Sequence, residues 1–323
     1  MNIGSTRGRT ALICGISGQD GTYLARSLLQ KGYEVWGTSR DASTNAFSNL
    51  KLFGIFNDIN LVSMVVEDSR SVYRAIKQCS PTEIYYLAGQ SSVGLSFDEP
   101  EETIQSIVIG TLNILEIVRS SESEIRFYQA GYSECFGDTY GISANETTPF
   151  SPRSPYAVAK ASAFWLVNNY REAYNIHACT GILFNHESTL RPARFVSKKI
   201  VKGVRDIAAG KKSKLQLGRL DISRDWGWSP EFVEAMWLML QNDKPEDFVI
   251  ATGKSFLLEE FVSLCFSELD LDWRDYVLQD ENLYRPTDIL LSSADASKAK
   301  RLLGWEATVF MPQVVSNMIS NKL

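Results

Sequence analysis

Short apolar runs alternate with amphipathic segments through the first half of the chain. Residues 10–16 (TALICGI) read as a strand, and 22–32 (TYLARSLLQKG) have helical spacing closed by a glycine. Further strands are expected at 33–39 (YEVWGTS), 59–68 (INLVSMVVED), 83–89 (EIYYLAG), 125–130 (IRFYQA) and 178–185 (ACTGILFN). Helices are expected between them at 69–79, 102–121 and about 155–174; the second has apolar residues at Ile104, Ile107, Val108, Leu112, Leu115 and Val118. Strands this continuously apolar, alternating with helices, mean an α/β fold with a doubly wound parallel sheet covered on both faces. After Asn185 the alternation is lost. Residues 225–243 read as one amphipathic helix and 247–253 (DFVIATG) as one more strand. The expected division is a nucleotide-binding domain at 1–185 and a smaller C-terminal substrate-binding lobe at 186–323, with 225–253 returning to pack on the sheet.

Composition narrows the function classes. The 323 residues are 44% hydrophobic and carry a net charge of −5 with no long basic run, which argues against a nucleic-acid partner but leaves room for a local basic pocket. Cysteines at 14, 79, 135, 179 and 265 are odd in number and lack paired spacing, so neither a disulfide framework nor a zinc site is expected. Two histidines, His177 and His186, are too few for a histidine-based metal centre. No apolar run reaches membrane-spanning length. The opening MNIGSTRGRTALICG reads as a buried strand rather than a signal sequence, and a cytoplasmic protein is the expectation.

Two motifs carry chemistry. GISGQDG places Gly15, Gly18 and Gly21 around Gln19 and Asp20, between the first strand and the first helix. Glycines there allow a tight turn and bring backbone N–H groups to a pyrophosphate at the helix N-terminus, the Rossmann-type arrangement. An ordinary strand–helix turn is the competing reading, and the position after the first strand of a parallel sheet favours the dinucleotide. The second strand ends GTSRD, where Arg40 replaces the acidic residue of an NAD site and suits the 2′-phosphate of NADP; a solvated surface arginine is the alternative. Asp68 at the end of strand three could accept from the adenine amino group. Leu87, Ala88 and Gly89 could lie along the cofactor. The second motif is SPRSPYAVAK, with Ser154 as a helix N-cap, Pro155 at the first helical position, and Tyr156 and Lys160 on one helix face. The lysine ammonium and a positive nicotinamide ring would lower the phenol pKa and favour a tyrosinate base.

With these motifs the chain resembles the extended short-chain dehydrogenases/reductases, and among them the GDP-mannose 4,6-dehydratase family. The resemblance runs nearly end to end, through LAGQSSVGLSF (87–97), SECFG (133–137), PFSPRSPYAVAK (149–160), NYREAYNIHACTGILFNHES (169–188), RDWG (224–227), FVEAMWLMLQ (232–241), RPTDI (285–289) and KAKRLLGW (298–305). It implies recycled NADP, Tyr156 as the base at the sugar 4-hydroxyl, and Glu134 removing the C5 proton and helping the 6-hydroxyl leave as water. The product would be a GDP-4-keto-6-deoxy sugar. It also implies substrate contacts at Ser91, at Asn185 and Lys199 on the diphosphate, at Arg224 and Arg285 on diphosphate and ribose, and at Asp288 on the ribose hydroxyls. A structural Arg–Asp pair is the plainer reading of the last three. A dimer or tetramer is implied too, although Asp41 stands where the family tends to have a second arginine in the loop after strand two, which weakens the carry-over of tetramer contacts.

Tyr132 departs from the family. QAGYSECFG has Gly131 and Tyr132 where a serine–threonine pair is usual, and the threonine hydroxyl bonds the sugar 4-oxygen. Three readings stay open: Ser133 or Tyr132 supplies the hydrogen bond; the pocket serves another 4-keto reaction such as epimerisation; or dehydration is crippled. Cys135 reads as a packing residue, His186 as a residue that orients its loop.

Overall fold

Alternating side chains along the first strand explain the layers. In β1 (Thr10–Cys14), Ala11 and Ile13 pack into one apolar cluster, and Leu12 and Cys14 into another on the opposite face. The computed structural model describes residues 8–323; the first seven residues, the start of the segment read above as a strand and not a signal, lie outside the described residues. After β1 come α1 (Gln19–Gln30), β2 (Glu34–Ser39), α2 (Ser48–Leu52), β3 (Asn60–Ser63), α3 (Ser69–Cys79) and β4 (Glu83–Tyr86). Then follow α4 (Pro100–Ile104), α5 (Gly110–Ser120), β5 (Arg126–Tyr132), α6 (Pro155–Tyr174) and β6 (Ala178–Leu183). Together with β10 (Phe248–Ile250) these strands form a central seven-stranded sheet in the order β10-β6-β5-β4-β1-β2-β3, with every pairing parallel. β10 is its edge strand, and α8 (Ser229–Gln241) packs against α1 on one face. On the other face α3, α5 and α6 contribute Ile76, Leu115 and Val167 to the second cluster. The strand order reverses between β1 and β4, where open sheets form their ligand crevice.

The remaining elements build a smaller body beside the carboxyl ends of the strands. They are β7 (Asn185–Glu187), α7 (Val196–Ala208), β8 (Leu215–Leu217), β9 (Ser223–Trp228), β11 (Ser255–Leu257), α9 (Leu258–Ser267), β12 (Val277–Gln279) and α11 (Met311–Ile319), while α10 (Ser297–Leu303) returns to the large sheet, where Ala299 and Leu303 pack with α8 and β10. A three-stranded sheet β11-β9-β7 joins α7, α9 and α11 around a separate cluster that includes Trp226, Phe261 and Val314. Among the described residues no helix is long and apolar enough to cross a membrane.

Several boundaries differ from the sequence expectation, each for a local reason. α1 starts at Gln19, inside the glycine turn, where apolar spacing has nothing to read. β3 ends at Ser63, and Asp68 lies five residues beyond it. The Asp68 carboxylate accepts the Arg70 N–H at 2.9 Å and caps α3, beyond the end of the strand. The helix expected at 102–121 contains a π-turn at Gln105–Ile109. The Tyr86 hydroxyl donates to the Ser106 carbonyl there, and only a glycine at 110 leaves room for the tyrosine ring. Residues 223–228 are a strand, not the start of a helix. The buried Asp225 carboxylate accepts Thr252 N at 3.0 Å and Gly253 N at 2.7 Å, which fixes β9 beside β11. α8 begins only at Ser229, with Pro230 in its first turn. The strand expected to reach 185 leaves the large sheet at Leu183, and Asn185–Glu187 pairs with β9 instead.

Candidate active site

At the reversal point β1 and β4 end side by side. Gly15 has φ +87°, and a Cβ there would lie 3.0 Å from the Ala88 backbone, so only glycine permits this approach. Gly18 is the N-cap of α1 and has no side chain to close its first turn. That uncapped helix start between two strand ends fits a dinucleotide pyrophosphate. Leu87, Ala88 and Gly89 follow β4 directly. Arg40 follows β2, with a side chain 77% exposed and Glu102 at 3.4 Å as its ion-pair partner. The side chains of Gln19 and Asp20 are engaged within the protein. Gln19 donates to the His186 carbonyl at 3.1 Å and accepts from Ser188 at 2.8 Å. Asp20 holds His186 Nε2 at 2.9 Å and Ser229 Oγ at 2.8 Å. Their side chains fasten α1 to the β7 segment. Burial alone would raise the Asp20 carboxyl, but His186 holds it well below the ordinary carboxylate range.

The reaction centre sits where β5 and α6 begin to converge. Ser154 accepts the Ala157 N–H at 3.1 Å and Pro155 opens α6, which fixes the register of Tyr156 and Lys160 on the buried face. Lys160 donates to the Ala130 carbonyl at 2.6 Å, and burial pulls its ammonium down to about 8. β5 runs two residues further than its apolar pattern, through Gly131 and Tyr132. A Cβ at 131 would meet Thr180 Cγ2 at 2.7 Å, so this strand end accepts glycine and has no room for a serine. The rings of Tyr132 and Tyr156 meet edge to face, with centroids 5.6 Å apart. Burial and then Tyr132 raise the Tyr156 phenol well above its ordinary range, with Arg191 as the opposing cation. The expectation of a lowered tyrosine pKa from Lys160 is therefore not met by the protein's own groups. Burial likewise pushes Tyr132 to about 12.

After β5 the chain turns through a short 3₁₀ segment, Ser133–Phe136. It aims Glu134 into a cleft of about 390 Å³ whose lining also includes Leu87, Tyr132, Tyr156 and Lys160. Burial raises the Glu134 carboxyl above the usual carboxylate range, against the pull of Arg224 and Arg285. Ser133 is buried and does not line the cleft. Cys135 donates its thiol to the Ala157 carbonyl at 3.6 Å, and burial raises it to about 12. The remaining expected substrate residues, Ser91, Asn185, Lys199, Arg224, Arg285 and Asp288, line the same cleft. Arg224 is not a free guanidinium. It is bonded to Asp288 at 2.9 Å and to the Ile289 carbonyl at 2.7 Å, while Arg285 Nη1 stands 3.6 Å from both Glu134 and Asp288.

The GDP-mannose 4,6 dehydratase family model matches residues 12–318, almost the whole chain. The chain belongs to that family. It is 44% identical to GDP-mannose 4,6 dehydratase 1 of Arabidopsis thaliana over 98% of its own length and 90% of the relative's. Among solved structures, dTDP-glucose 4,6-dehydratase from Bacillus anthracis in complex with NAD superposes with a TM-score of 0.83 at 20% identity, covering 97% of this chain and 96% of that one. RMD from Pseudomonas aeruginosa complexed with NADPH gives 0.79 at 19%, covering 97% and 98%. At such identities these two show the fold.

This member of the GDP-mannose 4,6-dehydratase family also has cleft residues that sequence reasoning passed over. Arg191 is ion-paired to Glu187 at 2.9 Å, stacks 4.1 Å over Phe195, and is braced by Ser197 donating to Glu187 at 2.7 Å. Arg194 reaches Ser91 at 3.3 Å. The only sequence signal was the basic, polar run after FNHES, and nothing in its spacing shows which arginines turn inward. Leu217 and Arg219 at the end of β8 and Tyr284 on a later loop also line the cleft.

Proposed function

We propose that this cleft converts GDP-mannose to GDP-4-keto-6-deoxymannose with NADP as the recycled cofactor; the enzyme is a nucleotide-sugar dehydratase, a lyase. The observation that carries the reading is the convergence of Tyr156, Lys160 and Glu134 with Arg285 and Asp288 on one cleft beside the β1/β4 crevice. Residues 186–323, apart from α8, β10 and α10, which pack on the large sheet, serve as the lobe that holds the GDP-sugar. A nicotinamide dinucleotide bound in the crevice supplies a hydride acceptor for sugar C4, a hydride donor for C6 and, when oxidised, a positive charge favouring the Tyr156 phenolate. Tyr156 takes the 4-hydroxyl proton. Lys160, fixed by the Ala130 carbonyl, orients the site and adds charge. The 4-ketone acidifies the C5 proton, which Glu134 removes; the same carboxyl then returns a proton to the departing 6-hydroxyl, which leaves as water, and after hydride is added at C6 the resulting enolate takes a solvent-derived proton at C5. A carboxyl raised by burial suits both halves of that task. Mass spectrometry of the nucleotide sugar after incubation with GDP-mannose tests the reading: a product lighter by one water supports it. A product of unchanged mass would point to an epimerase, which has no use for a carboxylate at 134.

Tyr132 lines the cleft and Ser133 does not, so the tyrosine phenol is the group that replaces the family threonine at the sugar 4-oxygen. Tyr132→Phe is expected to lower turnover by roughly 10- to 150-fold, the loss of one hydrogen bond to a developing charge. If Tyr132→Phe and Tyr132→Thr both keep the wild-type rate and product, position 132 plays no part in the chemistry.

Arg40 supports NADP over NAD. Its exposed pairing with Glu102 is a weak competitor, because such surface pairs contribute about 0–1 kcal/mol. A charged contact to the 2′-phosphate contributes about 1.5–3 kcal/mol. Arg40→Ala is therefore expected to weaken NADP binding by roughly 10- to 100-fold and leave NAD binding unchanged, read by fluorescence titration of the reduced cofactors.

A further inference from the structure

Arg285 stands between two carboxylates that have different work. Its Nη1 is 3.6 Å from Glu134 Oε1 and 3.6 Å from Asp288 Oδ1, beyond hydrogen-bond length on both sides. Asp288 does not need it: Arg224 bonds Asp288 at 2.9 Å and is itself anchored on the Ile289 and Ser223 carbonyls. Arg224 and Asp288 are thus a fixed, buried pair. Arg285 is 33% exposed and lies in the cleft wall, and its only ion-pair contacts among the described residues are these two long ones. Glu134 is only 9% exposed and has two cations acting on it: the anchored Arg224, which weighs more, and the loosely held Arg285 guanidinium 3.6 Å away.

We propose that Arg285 is a substrate-released counterion: in the free enzyme it neutralises Glu134, and an incoming nucleoside diphosphate draws it away, leaving Glu134 a stronger base only when substrate is in place. This deepens the dehydratase reading and rests on it for the role of Glu134. The physical basis is a competition. A diphosphate offers a guanidinium short, bidentate, charge-assisted bonds, whereas Glu134 offers a single contact at 3.6 Å. The charged or titratable groups facing Glu134 are Tyr132 on β5, Cys135 beside it, Tyr156 on α6, Arg224 on β9, and Arg285 and Asp288 on the loop before α10. Arg285 is the one cation among them that nothing else anchors. Arg285 acts here through Glu134, as a positioning residue.

The test is a titration of the Glu134 carboxyl by ¹³C NMR on protein labelled at glutamate, the resonance assigned by its loss in Glu134→Gln. Wild type and Arg285→Gln are compared with and without GDP. The expected result is that GDP raises the wild-type midpoint by about one unit, the size of losing one nearby cation. In Arg285→Gln the midpoint is already raised without GDP and moves by less than half as much on adding it. Equal GDP-induced shifts in the two proteins, or an unchanged midpoint in free Arg285→Gln, overturn the proposal. Arg285→Lys keeps the charge and is expected to restore the wild-type pattern in part. Because GDP is not turned over, these outcomes are independent of whether GDP-mannose loses water, which tests the dehydratase reading itself.

Discussion

Turnover of GDP-mannose should fall by roughly 10²–10⁴-fold in Tyr156→Phe, the range that a positioned acid–base group contributes. The structure explains why no neighbour substitutes for it. Tyr132 packs against Tyr156 edge to face, but burial pushes its phenol to about 12, so it remains a neutral donor. Lys160 is spent on the Ala130 carbonyl. The fold of the crevice does not depend on the hydroxyl, since the α6 start is set by Ser154 and Pro155 and the glycine turn by contacts with Ala88. Cofactor affinity, measured by the same fluorescence titration, should therefore change little. Wild-type turnover in Tyr156→Phe would place the reaction elsewhere.

Glu134→Gln should be as damaging but at a later point. The amide fills the same buried space and can still contact Arg285, yet it cannot take the C5 proton. Dehydration should drop by roughly 10²–10⁴-fold, while oxidation at C4 stays measurable as reduced-nicotinamide absorbance in a single turnover. The pH dependence follows from the raised carboxyl. Glu134 must be ionised to accept a proton, so activity is present above its pKa and lost as the pH falls through it. Because burial raises that pKa, the acid limb of kcat/KM should lie above the ordinary carboxylate range of about 4. An acid limb at or below that value would mean that another group controls it.

Much of this was legible in the sequence because it rests on local rules. The parallel sheet follows from apolar strands alternating with helices. The start of α6 follows from Ser154 and Pro155, and its N-cap bond is present in the structure. What was not legible depends on groups far apart in the chain. Nothing near Asp20 announces that it will bond His186, 166 residues away, and nothing near Arg224 announces Asp288. Asp68 looked like the end of a long strand because Met64, Val65 and Val66 continue its apolar run, but the chain turns and the carboxylate caps α3. The strand β9 was hidden for the opposite reason: Trp226 and Trp228 fit the helical spacing of α8 and extended it backwards. Sequence spacing placed Tyr156 and Lys160 on one face correctly, yet it could not weigh their burial, which reverses the direction expected for the phenol.

The central claim is that the end of β5 performs an elimination through Glu134, and it is tested most directly by running the reaction with GDP-mannose in heavy water. The account predicts a product that has lost one water and gained solvent deuterium at C5, with both features lost together in Glu134→Gln. Loss of water without deuterium at C5, or an unchanged product from Glu134→Gln, would contradict it.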